Sequence, residues 1–286
     1  MVVRITLSED TPMHEAPRIF VWLLIAGLIS LGAGAHAFDK EQLRRLKQTR
    51  ACGGCDLSYA YLKQRDLRGA KLAGANLREA ELKAADLSGA DLRSVDLRRA
   101  ELEKAILNGA VLSRGQLRGA DFESATLIGA DLERADMRDA DFDNADLTGA
   151  KLDRADLRDT DLKRAKLNFA KLAGADLRRG NLERAEFYRA VLDGTRLIAA
   201  EMGRINLQEA ALRGADLSFA KLPRANLVKA NLEGANLRGA LLRWADLRGA
   251  NLRGVRGLTQ TQLERACGDK DTVLPAKLTL KTCDPR

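Results

Sequence analysis

Residues 135–149 read ADMRD-ADFDN-ADLTG, three successive copies of a five-residue unit of the form Ala-(Asp/Asn)-Leu-x-x. The same period runs without a phase slip from Leu57 to Leu252, where every fifth residue is Leu, Phe or Met. A small residue, nearly always Ala, stands two positions before each of these 40 large apolar residues. Aromatic residues make up only 4% of the 286-residue chain, too few for a mixed globular core, so the repeat itself must build the fold.

The five-residue period suits neither kind of regular secondary structure. On an α-helix, five residues advance a side chain by about 500°, so the large apolar residues would scatter around the cylinder. On a flat strand the side-chain period is two, and an odd spacing would send alternate leucines to opposite faces. These residues can share one interior only if the chain turns a corner within each unit. Four corners close a square coil of about 20 residues, and stacked coils pair through parallel backbone ladders at about 4.8 Å.

Outward positions repeat every 20 residues, which a bare five-residue period would not produce. One column consists of Arg78, Arg98, Arg118, Arg138, Arg158 and Arg178. An acidic column contains Glu81, Glu101, Asp121, Asp141 and Asp161. Two glycine columns contain Gly69, Gly89, Gly109, Gly129 and Gly149, and Gly174, Gly194, Gly214, Gly234 and Gly254. We expect each column to lie along one side of the coil stack.

These repeats resemble the pentapeptide repeat family, and the resemblance covers residues 57–254. It implies an all-β fold, a right-handed quadrilateral parallel β-helix with Leu and Phe in a central stack and Ala lining the corners. Forty units would make about ten coils, a rod of ~48 Å at the ladder spacing. Short helical caps are expected at both ends.

Eight residues at the small position are not Ala; the glycines and threonines among them should fit, but three residues are larger. Val95 and Ile205 are expected to crowd the interior and to bulge a coil. Arg65 is the more serious misfit, because an unpaired buried charge is very costly. We expect the first coil to be loose, with the Arg65 guanidinium reaching the open end.

The two ends of the repeat carry helix signals. Residues 38–56 are predicted to form an N-terminal cap helix and a Cys-x-x-Cys segment, and residues 255–286 a C-terminal helical cap and tail. Asp39 followed by Gln42 is typical of a capping box, and the sequence after Leu258 repeats that arrangement. We predict helices at about 39–49 and 259–267, whose apolar sides would plug the tube and cover its exposed sheet edges.

Four cysteines favour disulfides if the chain is exported, as its N-terminal residues predict (next paragraph). Cys52 falls at a Leu position and Cys55 at a small position, so both are predicted to point inward. The favoured pairs are Cys52–Cys55 and Cys267–Cys283. A redox role would need a strand–helix–strand context that is missing, and a four-cysteine zinc site would need two pairs that the rod keeps ~48 Å apart. We therefore predict structural disulfides, with no metal and no cofactor.

Residues 1–37 are predicted to be a signal peptide, and Met13 is a candidate for the true start. An apolar run from Ile19 to Leu31 is followed by Ala35-His36-Ala37, an A-x-A ending suited to signal peptidase. The alternative is an inner-membrane anchor through residues 19–37, although the run is shorter than the roughly 20 residues of a spanning helix. The predicted location is periplasmic or secreted.

Cleavage after Ala37 would leave 46 Lys and Arg against 37 Asp and Glu, a net charge of +9, and would remove both histidines. Histidine is the usual general base and the commonest metal ligand. No P-loop, G-x-S-x-G or H-E-x-x-H motif occurs. Asp or Asn fills 22 of the 40 positions before the central residue, so paired carboxylates are no evidence for acid–base chemistry. We predict that the protein is not an enzyme and has no small-molecule substrate.

Two functions remain open. The first is an exported scaffold or protein-interaction rod of the cell envelope, with an unknown protein partner. The second is a binder of anionic envelope polymers or lipid headgroups through the Arg78–Arg178 column, because repeated guanidinium groups suit phosphates and carboxylates. The same column lies beside several aspartates and is equally compatible with a solvated, salt-bridged face. Those aspartates are Asp96, Asp136, Asp156 and Asp176.

The family that this chain resembles includes members that mimic DNA and bind gyrase, a role that needs a strongly acidic rod. The net charge of +9 and the export signal disfavour that role here. Direct nucleic-acid binding suits the charge but not the compartment, and aromatic stacking residues are scarce. A homodimer remains open through the C-terminal tail, where Leu278 and Leu280 would cover the tube end or meet a second copy.

Overall fold

The computed structural model describes residues 39–283, so the predicted signal peptide and its alternative as a membrane anchor lie outside the described residues. The regular elements are α1 (Lys40–Thr49), α2 (Gln260–Leu263) and two short strands, β1 (Cys267–Gly268) and β2 (Lys281–Thr282), which pair in parallel. No helix within residues 39–283 has the length and apolarity needed to cross a membrane. Everything between α1 and α2 is built from the five-residue repeat.

Parallel backbone bridges join residues that lie 20 apart, from Ala51↔Lys71 to Asn236↔Arg256. Each bridge uses the residue just before a central Leu, Phe or Met, so each unit contributes one bridge and four units complete a coil. At Leu127 the backbone N–H donates to the Asp146 carbonyl at 2.7 Å, and the Asp146 N–H donates back to the Ala125 carbonyl at 2.9 Å. The 20-residue coil predicted from the outward columns is therefore confirmed.

A tight turn makes the corner in each unit. In the unit of Leu147, the Ala150 N–H donates to the Leu147 carbonyl at 3.0 Å, and Gly149 has φ of 68°. The equivalent residue has positive φ in every unit from Tyr59 to Gly254. Because this left-handed conformation is comfortable for glycine and costs other residues about 1 kcal/mol or more, the recurrence of glycine at this position has a backbone cause.

The interior consists of the central apolar residues and the small residues at the corners. Phe122 and Phe142, one coil apart, stack with ring centroids 4.7 Å apart and planes 2° apart. The central residues and corner alanines from Leu57 to Leu252 are essentially inaccessible to solvent. Removing so much apolar surface from water is the main stabilising contribution to the fold.

The expectation that Val95 bulges a coil is wrong. Its neighbour in the next coil is Gly115, and a Cβ placed on that glycine would meet Val95 Cγ1 at 3.5 Å and the Leu112 carbonyl oxygen at 2.9 Å. The larger residue thus occupies room that the glycine leaves, and the bridge Asp96↔Gln116 keeps its register. Ile205 is also fully buried without any change in the 20-residue pairing.

The expectation that Arg65 loosens the first coil is also wrong. Its side chain is exposed, so no charge is buried. Its backbone keeps both repeat contacts: the Arg65 N–H donates to the Leu62 carbonyl at 3.2 Å, and the Asp86 N–H donates to the Arg65 carbonyl at 2.9 Å. A long side chain at a corner can turn outward without breaking the ladder.

Helix α1 begins and ends as predicted. Asp39 is its N-cap and accepts the backbone N–H of Glu41 at 2.8 Å, and Leu46 is buried in the shared core. Gln42 does not close the predicted capping box: its Nε2 donates to Asp39 Oδ2 at 2.8 Å, and its Oε1 accepts the Asp56 N–H at 2.6 Å. In later coils the equivalent N–H bonds a carbonyl of the preceding coil, so this glutamine replaces a missing coil.

Helix α2 is shorter than the predicted 259–267. Cys267 instead donates its N–H to the Ala245 carbonyl at 3.1 Å and enters β1, because the ladder continues into the tail. Gln262 mirrors Gln42: its Nε2 donates to the Leu237 and Ala240 carbonyl oxygens at 2.8 and 2.9 Å. Side-chain amides therefore satisfy backbone groups of the repeat at both ends.

Candidate functional site

All four cysteines form the two predicted disulfides. Cys52–Cys55 has a Cα–Cα distance of 5.3 Å, and both residues are buried, as the repeat register predicted. Cys267–Cys283 has a Cα–Cα distance of 4.8 Å and ties the tail to β1. Asp246 Oδ1 lies 3.5 Å from Cys283 Sγ, but both sulfurs of that pair are already bonded to each other. A disulfide is a poor metal ligand because it lacks a thiolate.

The six predicted arginines lie on successive coils along one side, which we call the arginine face. Four of them make two parallel hydrogen bonds to the aspartate two residues earlier, with donor–acceptor distances of 2.5–2.9 Å. These pairs are Arg98–Asp96, Arg138–Asp136, Arg158–Asp156 and Arg178–Asp176. Hydrogen bonds from the Arg138 side chain hold the pKa of Asp136 below its usual value. Much of this face is therefore neutralised within single repeats.

The other two arginines of the column lack that aspartate. Asn76 precedes Arg78, which bonds Glu79 at 3.2 Å instead. Gln116 precedes Arg118, which reaches Asp139 in the next coil at 2.9 Å. Each makes a single bond to its carboxylate, so their remaining N–H donors are free to meet an added anion.

These two arginines line an open depression of about 370 Å³ with Arg98 and Arg99. Its other lining residues are Gly119 and Asp139. The four arginines around it pair with three carboxylates, Glu79, Asp96 and Asp139, so one positive charge is in excess here.

The chain matches the family profile described as "Pentapeptide repeats (8 copies)" in overlapping windows from 53–93 to 225–256. Together the windows cover all of the repeat region and well over half of the chain. The chain belongs to the pentapeptide repeat family. The right-handed quadrilateral β-helix of pentapeptide repeat proteins is therefore its fold.

One solved structure of a pentapeptide repeat protein supports this fold. HetL, a pentapeptide repeat protein involved in heterocyst differentiation regulation from the cyanobacterium Nostoc sp. strain PCC 7120, is 37% identical. The match covers 78% of this chain and 99% of HetL, with a TM-score of 0.73. Rfr23 from the cyanobacterium Cyanothece 51142 is 41% identical over 35% of this chain and 64% of its own, with a TM-score of 0.29. No curated protein sequence gave a significant match.

Aromatic side chains at turn positions of this pentapeptide repeat protein form a second exposed feature. Phe219 is 53% exposed and Trp244 is 46% exposed, and both have φ near 60°. The Arg243 guanidinium lies 3.7 Å from the Trp244 ring centroid, and that of Arg224 lies 5.0 Å away. Sequence reasoning missed this cluster, although a large aromatic residue at a position that favours glycine was the available signal.

An open depression of about 860 Å³ lies beside Trp244 near the C-terminal end. Two of its three carboxylates are engaged in structural bonds: Asp246 accepts two hydrogen bonds from Arg248, and Asp269 accepts the Gly249 N–H at 2.8 Å. That backbone bond is the main cause of the lowered pKa of Asp269. A carboxylate that is held ionised, as that of Asp269 is, suits electrostatic binding better than proton transfer near neutral pH.

Proposed function

We propose that this pentapeptide repeat protein is a non-enzymatic, exported scaffold of the cell envelope that presents its faces to a protein partner. In this proposal about ten coils form the rod, residues 1–37 direct export, and both ends are capped. One observation carries it: the ladder from Ala51 to Arg256 runs without interruption, and its core uses only two residues of each five. The remaining three point outward and are free to define a surface.

The two ends support the idea of a discrete rod. Open sheet edges invite end-to-end pairing. Here Leu43 and Leu46 of α1 pack into the shared core at one end, and Leu263 and Ala266 do so at the other. Together with the glutamine contacts to the terminal coils, these residues favour caps that limit growth of the stack.

The disulfides support the proposed compartment. Disulfides persist in oxidising compartments and are rare in the reducing cytosol. All four cysteines are paired in this structure. An exported rod would therefore gain its covalent staples only after leaving the cytoplasm.

The test uses the full chain and a matched variant in which Leu23→Arg and Leu24→Arg interrupt the apolar run. We expect the parent protein in the envelope fraction with its cysteines blocked to alkylation, and the variant in the cytoplasm with its thiols free. Site-specific photo-crosslinkers on each face should then yield adducts from one face more than from the others. A parent protein found reduced in the cytoplasm, or crosslinked uniformly on all faces, would contradict the proposal.

A second candidate function, binding of anionic envelope polymers, is favoured by the depression lined by Arg78 and Arg118. The Arg78→Gln/Arg118→Gln variant removes the two singly bonded arginines, and Arg138→Gln/Arg158→Gln removes two that are already paired. Both variants lower the net charge by two. On heparin, the first should elute at clearly lower salt than the second. Equal elution of the two variants would leave only a general charge effect and sink this candidate.

A further inference from the structure

A second side of the rod distributes its charges differently from the arginine face. Its outward residues belong to the ten units that begin with Tyr61 and recur every 20 residues. Backbone bridges connect the first residue of each unit to the next, so the ten units form one continuous strip, which we call the divided face. The first residues of its units are Tyr61, Glu81, Glu101, Asp121, Asp141, Asp161, Asn181, Glu201, Lys221 and Leu241.

The divided face is acidic in one half and basic in the other. In the first five units, 61–64 to 141–144, the outward residues include seven acids and three lysines, a net charge of −4. In the last five, 161–164 to 241–244, they include three acids and seven basic residues, a net charge of +4. The two halves are equal in length and opposite in sign.

Contacts within the chain do not cancel this division. Lys83 bonds both Glu101 and Glu103, and Arg164 bonds Asp143 across the boundary. Glu81 and Glu123 in the acidic half form no ion pair with any residue of 39–283. Of the seven acids in this half, Glu101 and Glu103 therefore share one lysine, and Glu81, Asp121, Glu123 and Asp141 have no cationic partner among residues 39–283.

The acidic half shows the effect of crowded like charge. Burial raises the pKa of Asp121, and the neighbouring carboxylates of Glu103 and Asp141 raise it further, against the backbone N–H of Glu123. One carboxylate oxygen each of Glu103 and Asp143 is shielded from solvent without a hydrogen-bond partner. In the basic half, Arg204 has no ion pair within the described part of the chain.

Apolar side chains mark the two outer ends of the same face. Tyr61 is 55% exposed at one end, and Leu241 is 54% exposed at the other, beside Trp244. Leu241 and Trp244 lie in one unit and form a small exposed apolar cluster, the kind of surface that can mark an association site, whereas Tyr61 stands at the other end. Here they lie at equal distances, in units, from the middle of the divided face.

We propose that two copies of the chain associate side by side and antiparallel through their divided faces. The two-fold axis would pass between the units of Phe142 and Leu162. Each unit then faces the unit at the same distance on the other side of the midpoint, so Glu81 meets Lys221 and Arg224 of the second copy. The unit of Tyr61 meets that of Leu241 and Trp244.

The symmetry of the strip favours a second copy over another partner. A two-fold interface is self-complementary, because each surface patch meets the patch related to it by the axis. An antiparallel pair brings each net charge of −4 against one of +4, whereas a parallel pair would oppose like charges throughout. Since these charges lie near the surface, the association depends on salt. The proposal is independent of the export and scaffold roles proposed above.

The experiment compares charge variants of the protein, expressed from the full-length sequence and purified as the host processes it. The acidic-half variant is Glu81→Lys/Glu123→Lys, and the basic-half variant is Arg184→Glu/Arg224→Glu. A control variant, Arg114→Glu/Arg134→Glu, changes two arginines that lie on another side. Analytical ultracentrifugation at 50 and 500 mM NaCl reports the mass of each protein alone and in mixtures.

We expect the parent and the control to be dimeric at low salt. At high salt their dissociation constants should be at least tenfold larger. Each divided-face variant should be monomeric alone. An equimolar mixture should form a heterodimer, because each introduced lysine then faces an introduced glutamate, and the unchanged basic half of one variant faces the unchanged acidic half of the other. A photo-crosslinker at position 61 should label the 241–244 segment of the second copy. A monomeric parent at 50 mM NaCl, absence of rescue on mixing, or crosslinking of position 61 to itself would each overturn the proposal.

Discussion

The arginine face and the divided face are built from the same repeat but handle charge in opposite ways. On the arginine face, Asp136 and Arg138 stand two residues apart and neutralise each other within one unit. On the divided face, Asp121 is followed by Glu123, and their compensating charges lie tens of residues away. Pairing within a unit leaves a face with little net charge for binding another molecule. Segregation along the rod leaves charged regions that an oppositely charged surface can bind.

The largest expected effect comes from truncating core leucines beneath the two faces. It tests whether the core is equally stabilising under both. Leu177 lies beneath the arginine face and Leu182 beneath the divided face, and both are fully buried. Leu177→Ala and Leu182→Ala should each destabilise the fold by about 2–5 kcal/mol, and by similar amounts, because each leaves a cavity in the same stack. Chemical denaturation measures both. A difference of several kcal/mol between them would mean that the core is not uniform across the faces.

Substituting one aspartate on each face should change the stability of the protein in different directions. Asp136→Asn removes a carboxylate that Arg138 holds by two hydrogen bonds, at 2.8 and 2.6 Å, and we expect a loss of about 1 kcal/mol. Asp121→Asn keeps the side-chain oxygen that accepts the Glu123 N–H at 2.9 Å and removes a repelling charge. That variant should be neutral or gain a few tenths of a kcal/mol. Denaturation at pH 7 and low salt checks both signs, and equal losses would refute the comparison.

The pH dependence of the same pair should have opposite signs. The lowered pKa of Asp136 means that its ionised form stabilises the fold above pH 3.8, and that this contribution fades as the pH falls through the lowered value. The raised pKa of Asp121 means that its ionised form costs stability at neutral pH and no longer does so below 3.8. The advantage of parent over Asp136→Asn should therefore shrink on acidification, and so should any advantage of Asp121→Asn over parent. Unfolding midpoints between pH 7 and pH 3 test this, and profiles parallel to the parent would count against it.

The smallest expected effect comes from a substitution that gives the arginine face an aspartate that it lacks. Gln116→Asp places a carboxylate two residues before Arg118, as Asp136 stands before Arg138. We expect a gain of about 0.2–1 kcal/mol, the usual range for an exposed ion pair. Asn76→Asp, before Arg78, is the matched variant at the other exception. A lower thermal midpoint in both would show that the aspartate does not decide how these arginines pair.

Much of the fold follows from spacing alone, because a residue every fifth position can be buried in only a few ways. The register also placed Cys52 and Cys55 inside, where they form a disulfide. The accommodation of Val95 could not be read in the same way, since it depends on Gly115 one coil later. The C-terminal helix was overpredicted because a capping box marks where a helix begins but not where the ladder resumes.

The candidate surfaces were only partly predictable. The arginine column was visible in the sequence, but which of its members are already neutralised depends on bidentate geometry at Asp136 and on its replacement at Gln116. The acidic column was visible as well. Its relation to the basic units beyond residue 161 emerged only when the bridges placed both along one strip.

The unbroken ladder means that the sequence carries two periods at once. The interior counts in fives and the exterior in twenties. Loss of five residues from the middle would leave the leucines aligned but rotate every later side chain by a quarter turn, scrambling what each side displays. Loss of twenty would shorten the particle by about 4.8 Å and keep every side intact. Separate deletions or insertions can thus change the length of such a molecule, or the residues that each side displays, without disturbing its core.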